Sequence, residues 1–227
     1  MKIAYDGQIR FGVTGDRETI AGPTVFVVDD DEAVCNYVRR LMEWVQLPVE
    51  TFGAAESFLA AYDPDRPGCL VLDVQMPGMS GLELQERLLK LGRTIPVIMV
   101  SECCDISVVV RAMKAGAVSF LEKPLNDHLL LDTIREGIER DAENRRRTAY
   151  LLEIQGRMAR LTPRERQVMD LLVAGNVSKA VAAKLGLSEK TIEVHRAHVM
   201  KKLQAKTIAD LVRFAFLSGA YQGNPDA

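Results

Sequence analysis

Short, unbroken apolar runs punctuate the first half of the chain, and each stops at polar residues. Val25–Val28 stops at Asp29-Asp30-Asp31, Cys69–Leu72 at Asp73, Ile95–Val100 at Ser101, and Ala117–Leu121 at Glu122-Lys123-Pro124. Apolar runs without alternation suit strands buried on both faces of a parallel sheet. A weaker strand is predicted over Pro48–Phe52, and the intervening stretches Glu32–Gln46, Ala54–Tyr62, Ser80–Leu91 and Asp105–Ala115 have helical spacing. Alternating strands and helices predict an α/β fold: a doubly wound, five-stranded parallel sheet with right-handed crossovers. Ligands of such sheets bind beyond the carboxyl ends of the strands, where these polar residues fall.

After Pro124 the pattern becomes helical throughout. Leu129, Ile134 and Ile138 mark a helix that runs into the charged stretch RDAENRRR and on to about Met158, where a solvated helical linker is expected. At Leu161 the order LTPRERQV opens a small all-α segment. Thr162 is the expected N-cap, Pro163 the first helical residue and Glu165 the partner in a capping box. Gly175 ends that helix, Val177–Leu185 forms a short second one stopped by Gly186, and Ser188 caps a third over Glu189–Leu203. Two short helices joined by a Gly-containing turn, the second capped and basic, form a helix-turn-helix pattern.

The resulting division is a flexible N-terminal extension over 1–23, an α/β domain over 24–140, a helical linker over 141–158 and a helix-turn-helix domain over 159–221. Charge sharpens it. From Gly156 onward there are 12 Lys and Arg against 6 Asp and Glu, whereas the preceding residues carry 17 against 25. An acidic first part joined to a basic second part points to double-stranded DNA as partner of the second. No stretch reaches the roughly 18 apolar residues of a membrane span, and the N-terminus lacks the apolar core of a signal peptide. A cytoplasmic protein without membrane contact is expected. The four cysteines, Cys35, Cys69, Cys103 and Cys104, have neither CxxC nor metal-ligand spacing and are read as free thiols.

Asp29, Asp30 and Asp73 leave two different strands at one sheet edge. Carboxylates brought together raise one another's pKa unless a cation joins them, and hard oxygen ligands suit Mg²⁺. Lys123 is placed to offer a point charge to a phosphoryl group, and Ser101 a hydroxyl. The set fits in-line phosphoryl transfer to an aspartate.

These strand ends carry a resemblance. VFVVDDDEAV, LVLDVQMPGMSGLEL, PVIMVSE and RAMKAGAVSFLEKPL resemble the receiver domain of two-component response regulators over roughly 24–145, nearest the FixJ branch. The resemblance implies a CheY-like fold with Asp73 as phosphoacceptor and Mg²⁺ held by Asp29, Asp30, Asp73 and the Gln75 backbone carbonyl. It also makes Lys123 the phosphoryl partner, Ser101 the switch hydroxyl, Phe120 the aromatic that changes rotamer with it, and Lys123-Pro124 a cis peptide. One position departs from the family: Glu102 stands where a small residue usually follows the switch hydroxyl. A carboxylate there would repel an incoming phosphoryl group by something on the order of 1 kcal/mol if solvated. Cys103-Cys104 behind it read as loop filler.

The segment 159–220, with SEKTIEVHRAHVMKKL at its centre, resembles the LuxR-type helix-turn-helix of the FixJ and NarL regulators, which implies a last helix over Ala205–Leu217 in dimer contact on DNA. On its third helix Ile192, His195, Val199 and Leu203 share one face and should pack inward. Lys190, Glu193, Val194, Ala197 and Lys201 lie elsewhere as candidate base readers, with Lys179, Arg196, Lys201 and Lys202 as candidate phosphate contacts. Together the two resemblances imply a transcription regulator rather than an enzyme. A sensor histidine kinase would phosphorylate Asp73, the receiver would dimerise, and promoter binding would follow; RNA polymerase is a further candidate partner. Rival readings are a DNA-binding protein with a degenerate pocket, a phosphatase using Asp73 as turnover nucleophile, and a purely protein-binding regulator.

Overall fold

The computed structural model describes residues 22–103 and 105–219, so the expected extension over 1–23, apart from its last two residues, and Cys104 lie outside the described residues. Within the described chain the alternating runs form β1 (Thr24–Val28), α1 (Glu32–Trp44), β2 (Val49–Phe52), α2 (Ala55–Ala61), β3 (Gly68–Asp73), α3 (Gly81–Lys90), β4 (Val97–Ser101), α4 (Ile106–Lys114) and β5 (Ser119–Glu122). All strand pairs are parallel, in the order β2-β1-β3-β4-β5. The chain therefore starts near the middle, steps outward once, then crosses back and proceeds to the far edge, which is the doubly wound arrangement.

Successive residues of β1 point to opposite faces, and both faces are covered. Phe26 and Val28 pack with Phe58 of α2, Leu84 and Leu88 of α3 and Ala112 of α4. Val25 and Val27 pack with Val38 and Met42 of α1 and with Leu130 and Ile134. Burial on both faces explains why these strands read as continuous apolar runs.

Element ends differ from the sequence expectation for local reasons. Strand β4 begins at Val97, because Pro96 has no N–H to give the ladder and contributes only its carbonyl, to Leu70. Helix α1 stops at Trp44, and Gln46 takes φ +59° to turn the chain into β2. Helix α4 is one residue shorter at each end than expected, and Asp105 caps it through the Ser107 amide.

One helix, α5 (Asp127–Ala159), carries the chain out of the sheet domain. The described chain divides into two compact units at Asp141/Ala142. The charged stretch is helical as expected, but its end is more than a solvated linker. Ile154 and Met158 are buried in the core of the second unit with Val168, Leu172, Val181, Ile192, Val199 and Leu211. Around that core lie α6 (Pro163–Val173), α7 (Ser178–Leu185), α8 (Glu189–Leu203) and α9 (Ile208–Leu217). Thr162 and Glu165 form the expected capping box. The last helix starts three residues later than expected. Gln204 at φ +56° closes α8, and Thr207 with Asp210 builds a further capping box that sets the start of α9.

Candidate functional site: a lysine-bridged acidic pocket and a basic helix face

The carboxyl ends of β1, β3, β4 and β5 bring four of the expected residues together. Asp29 follows β1, Asp73 is the last residue of β3, Ser101 the last of β4, and Lys123 follows β5. Asp29, Asp73 and Ser101 are buried, at 3%, 4% and 2% exposure. Asp73 is fixed from two sides. Its Oδ2 accepts the Gln75 amide N–H at 2.7 Å. Behind it, Gly81 at the start of α3 is so close that a Cβ there would stand 2.0 Å from the Asp73 carbonyl oxygen.

Lys123 comes from two strands away, a span of about 9–10 Å at ordinary strand spacing, so only a long side chain reaches. Its Nζ is 2.8 Å from both Asp29 Oδ2 and Asp73 Oδ1. Burial pulls the ammonium down, but the hydrogen bonds to both aspartates outweigh it and hold Lys123 above its ordinary value. Burial pushes the Asp73 carboxyl up, with the Asp29 charge adding to it, and Lys123 offsets only part of that rise. The peptide before Pro124 is cis. Tyr37 of α1 hydrogen-bonds both the Asp127 carboxylate and the Leu125 carbonyl, holding the segment that follows Lys123. Burial and Asp127 push its phenol up to about 12.

Of the three expected carboxylates, Asp29 and Asp73 are buried together. Asp30 is exposed, and among the described residues no group of three or more His, Cys, Asp and Glu is arranged to hold a metal ion. An ammonium joins the two buried acids. The donor chemistry nevertheless fits a hard divalent cation, since two buried carboxylates face one compensating charge and Asp30 is next to Asp29. Ser101 is turned toward its own loop: its hydroxyl donates to the Cys103 carbonyl at 3.1 Å and accepts the Cys103 amide N–H at 3.3 Å. Phe120 is partly buried against the face covered by α2–α4. Glu102 is exposed beside the pocket.

In the second unit, α7 and α8 present the basic surface. Lys179, Lys190, Glu193, Val194, Ala197 and Lys201 are exposed, and Arg196 is half-buried. Glu193 is engaged within the unit, accepting the Ser178 hydroxyl at 2.5 Å with Arg196 at 3.6 Å. Ile192, Val199 and Leu203 face inward as expected; His195 is partly buried, and its buried Nδ1 has no hydrogen-bond partner. Lys202 departs from its expected role. Its Nζ is 2.6 Å from buried Glu165 and 3.2 Å from the Arg160 carbonyl, so it ties α8 to the start of α6. Burial alone would push the Glu165 carboxyl up, but Lys202 and the Thr162 hydrogen bonds bring it down to about 2.

Several residues escaped the sequence reading. Gln85 is buried on α3 and donates to the carbonyls of Ala112 and Ala115 at the end of α4. Asp141, buried in α5, accepts the Gly68 amide N–H. Nothing in their sequence context marks them, whereas the Thr207-Ile208-Ala209-Asp210 capping box was visible.

Comparison with known proteins agrees with both halves. Residues 25–135 match the response regulator receiver domain, and residues 159–215 match the bacterial regulatory proteins of the luxR family. The chain therefore belongs to the response regulators that carry a luxR-family domain. It is 42% identical over 204 residues to nodulation protein W of Bradyrhizobium diazoefficiens, covering 90% of each chain. It is 43% identical over 195 residues to the transcriptional regulatory protein FixJ of Azorhizobium caulinodans, covering 86% of this chain and 92% of that one. Among solved structures, the response regulator StyR is 43% identical with a TM-score of 0.78, over 88% of this chain and all of that one. Among the described residues no helix is long and apolar enough to cross a membrane.

Proposed function

We propose that this chain is a phosphorylation-switched, DNA-binding transcription regulator with Asp73 as phosphoacceptor. The observation that carries the reading is the Lys123 ammonium shared by Asp29 and Asp73 at the carboxyl edge of the sheet. A sensor histidine kinase presents a phosphohistidine, and an Asp73 carboxylate oxygen attacks its phosphorus. The P–N bond breaks, and the imidazole leaves with that electron pair. Asp29 and Asp73, with Asp30 and the Gln75 carbonyl, would hold Mg²⁺, which when bound supplies positive charge to the phosphoryl oxygens.

Lys123 already lies on Asp73 Oδ1 and follows the charge onto the new phosphoryl group. Ser101 exchanges its bond to the Cys103 carbonyl for one to a phosphoryl oxygen, and Phe120 moves with it. The gain in contacts shifts a two-state equilibrium of the α4–β5 face. That face leaves Ile106, Val110 and Met113 exposed at 79%, 44% and 44%, which suits pairing of two receivers. A dimer places two copies of α8 on two half-sites. Lys190, Glu193, Val194, Ala197 and Lys201 reach bases from α8, while Lys179, Arg196 and Lys201 meet phosphates. The chain acts in the cytoplasm as a stoichiometric switch, and RNA polymerase is a further partner.

The test is the mass of the chain after incubation with acetyl phosphate and Mg²⁺, followed by salt-dependent binding to selected DNA. One added phosphoryl group, lost in Asp73→Asn, together with tighter DNA binding by the labelled form, is the expected result. Labelling that persists in Asp73→Asn sinks the assignment.

A further inference from the structure

On α8 the Glu193 carboxylate is held by one of its two oxygens. Oε1 accepts the Ser178 hydroxyl of α7 at 2.5 Å and lies 3.6 Å from the Arg196 guanidinium, three residues on. Oε2 has no partner among the described residues, and the side chain is 54% exposed. A surface glutamate ordinarily spreads over many rotamers, and fixing it costs side-chain entropy. Here Ser178 and Arg196 bear that cost within the unit, and Arg196 offsets a charge that the phosphate backbone would repel. Glu193 lies in the N-terminal half of α8, exposed like Lys190, Ala197 and Lys201. In a helix-turn-helix, that half of the second helix is the part that meets base edges. Ala197, four residues on, has no polar group to compete for the same base.

We propose that Glu193 is a specificity-determining residue that accepts the N4 amino group of a cytosine through Oε2, with Ser178 and Arg196 as its positioning residues. The inference rests on the reading of α8 as the major-groove helix. A carboxylate only accepts hydrogen bonds, and in the major groove only cytosine and adenine offer an amino group. Adenine sets its N7 acceptor beside N6, which repels a second acceptor, whereas the cytosine edge carries the donor alone. Guanine and thymine present acceptors there. The free oxygen therefore suits a C·G pair, one in each half-site of a two-fold dimer.

The test is selection of bound sequences from a randomised duplex library by the full chain treated with acetyl phosphate and Mg²⁺. Wild type, Glu193→Gln, Glu193→Ala and Ser178→Ala are compared. Wild type should fix one cytosine in each half-site that depends on Glu193. Glu193→Gln should change that position to adenine, since an amide meets N6 and N7 together, and leave the other positions alone. Glu193→Ala should make it degenerate. On duplexes carrying the selected site, thymine in place of that cytosine should weaken wild type roughly tenfold and Glu193→Ala hardly at all. Ser178→Ala should keep the cytosine but lose about threefold of the preference, because its glutamate is no longer tethered. Urea midpoints of the variants should stay near wild type, since exposed polar pairs contribute little to stability. A merely structural role weakens every sequence alike. A motif left unchanged by Glu193→Gln and Glu193→Ala, or one without such a cytosine, overturns the inference and leaves DNA binding in place. Failure of wild type to enrich any sequence overturns the DNA-binding reading and the inference with it.

Discussion

The Lys123 ammonium stands 2.8 Å from Asp73 Oδ1, and the same nitrogen is 2.8 Å from Asp29 Oδ2. Lys123 is 13% exposed and the two acids 3% and 4%, so solvent screens this triad little. Removing the cation while keeping a similar shape, as in Lys123→Met, strands two carboxylates in one dry site. Loss of one partner from a buried ion pair costs on the order of 3 kcal/mol. The urea midpoint at neutral pH should fall accordingly. Without the ammonium, a trapped carboxylate has its folded pKa above the unfolded value, so its penalty applies above the folded pKa. The deficit should therefore shrink as pH falls through that value, and an equal deficit at neutral and acid pH would contradict this account.

Asp73 attacks phosphorus only as a carboxylate, and burial holds its pKa above the ordinary 3.8. The labelling rate should therefore fall on acidification at a higher pH than a solvent-exposed aspartate would give. Lys123 lowers the Asp73 pKa, so Lys123→Met should move the inflection higher still. Carboxyl-carbon NMR of Asp73 measures the same titration without a phosphodonor. An inflection at or below the ordinary aspartate range would contradict the assignment.

Gln85 joins α3 to the end of α4. Its Nε2 donates to Ala112 O at 3.1 Å and Ala115 O at 3.2 Å, while its buried Oε1 has no partner. Gln85→Leu removes two hydrogen bonds but also relieves an unsatisfied oxygen. The net loss should be about 1 kcal/mol rather than the sum of two bonds. Amide exchange should accelerate at the last turn of α4 and leave α1 unchanged.

The contrast between Asp73 and Gln85 shows what the sequence exposes. Asp73, Asp29, Ser101 and Lys123 are legible because a parallel sheet places every strand end at one edge, so the abrupt end of each apolar run marks the site. What the sequence does not reveal is which groups neutralise one another. Asp29, Asp30 and Asp73 at one sheet edge suggested a carboxylate trio, but Asp30 is exposed and a lysine from beyond β5 bridges the two buried acids. Gln85 and Asp141 are invisible for a related reason, since a polar residue on a helix reads as solvent-facing until the packed neighbour is known. The same holds for Ile154 and Met158, hidden in a stretch whose charge dominates the pattern.

Glu165 should make the second unit sensitive to acid. Its folded pKa of about 2 lies below the ordinary 4.5, so the stabilisation is fully present above the ordinary value and is lost as pH falls toward the folded one. Amide protection factors in α6 and α8, corrected for the intrinsic exchange rate, should be high at about pH 5 and markedly lower by about pH 3. Glu165→Gln should be less stable at about pH 5 and lose most of this dependence. An unchanged pH profile in that variant would assign the acid sensitivity to other groups.

Lys201 and Lys202 are adjacent on α8 but face different tasks. Lys201 is exposed, whereas the Lys202 ammonium is spent on Glu165 and the Arg160 carbonyl. A lysine that neutralises a DNA phosphate releases a counterion, so its loss reduces the salt slope of binding by about 1 and weakens all sequences alike. Lys201→Ala should do this with little effect on the urea midpoint. Lys202→Ala should do the reverse, lowering the stability of the second unit while the salt slope stays near wild type. Lys202→Ala also uncovers Glu165, so pairing it with Glu165→Gln should recover part of the lost stability, because the stranded carboxylate is what costs most. Salt-dependent gel shifts and urea unfolding on the single and double variants measure both quantities. A reduced salt slope in Lys202→Ala with unchanged stability would return Lys202 to the DNA surface.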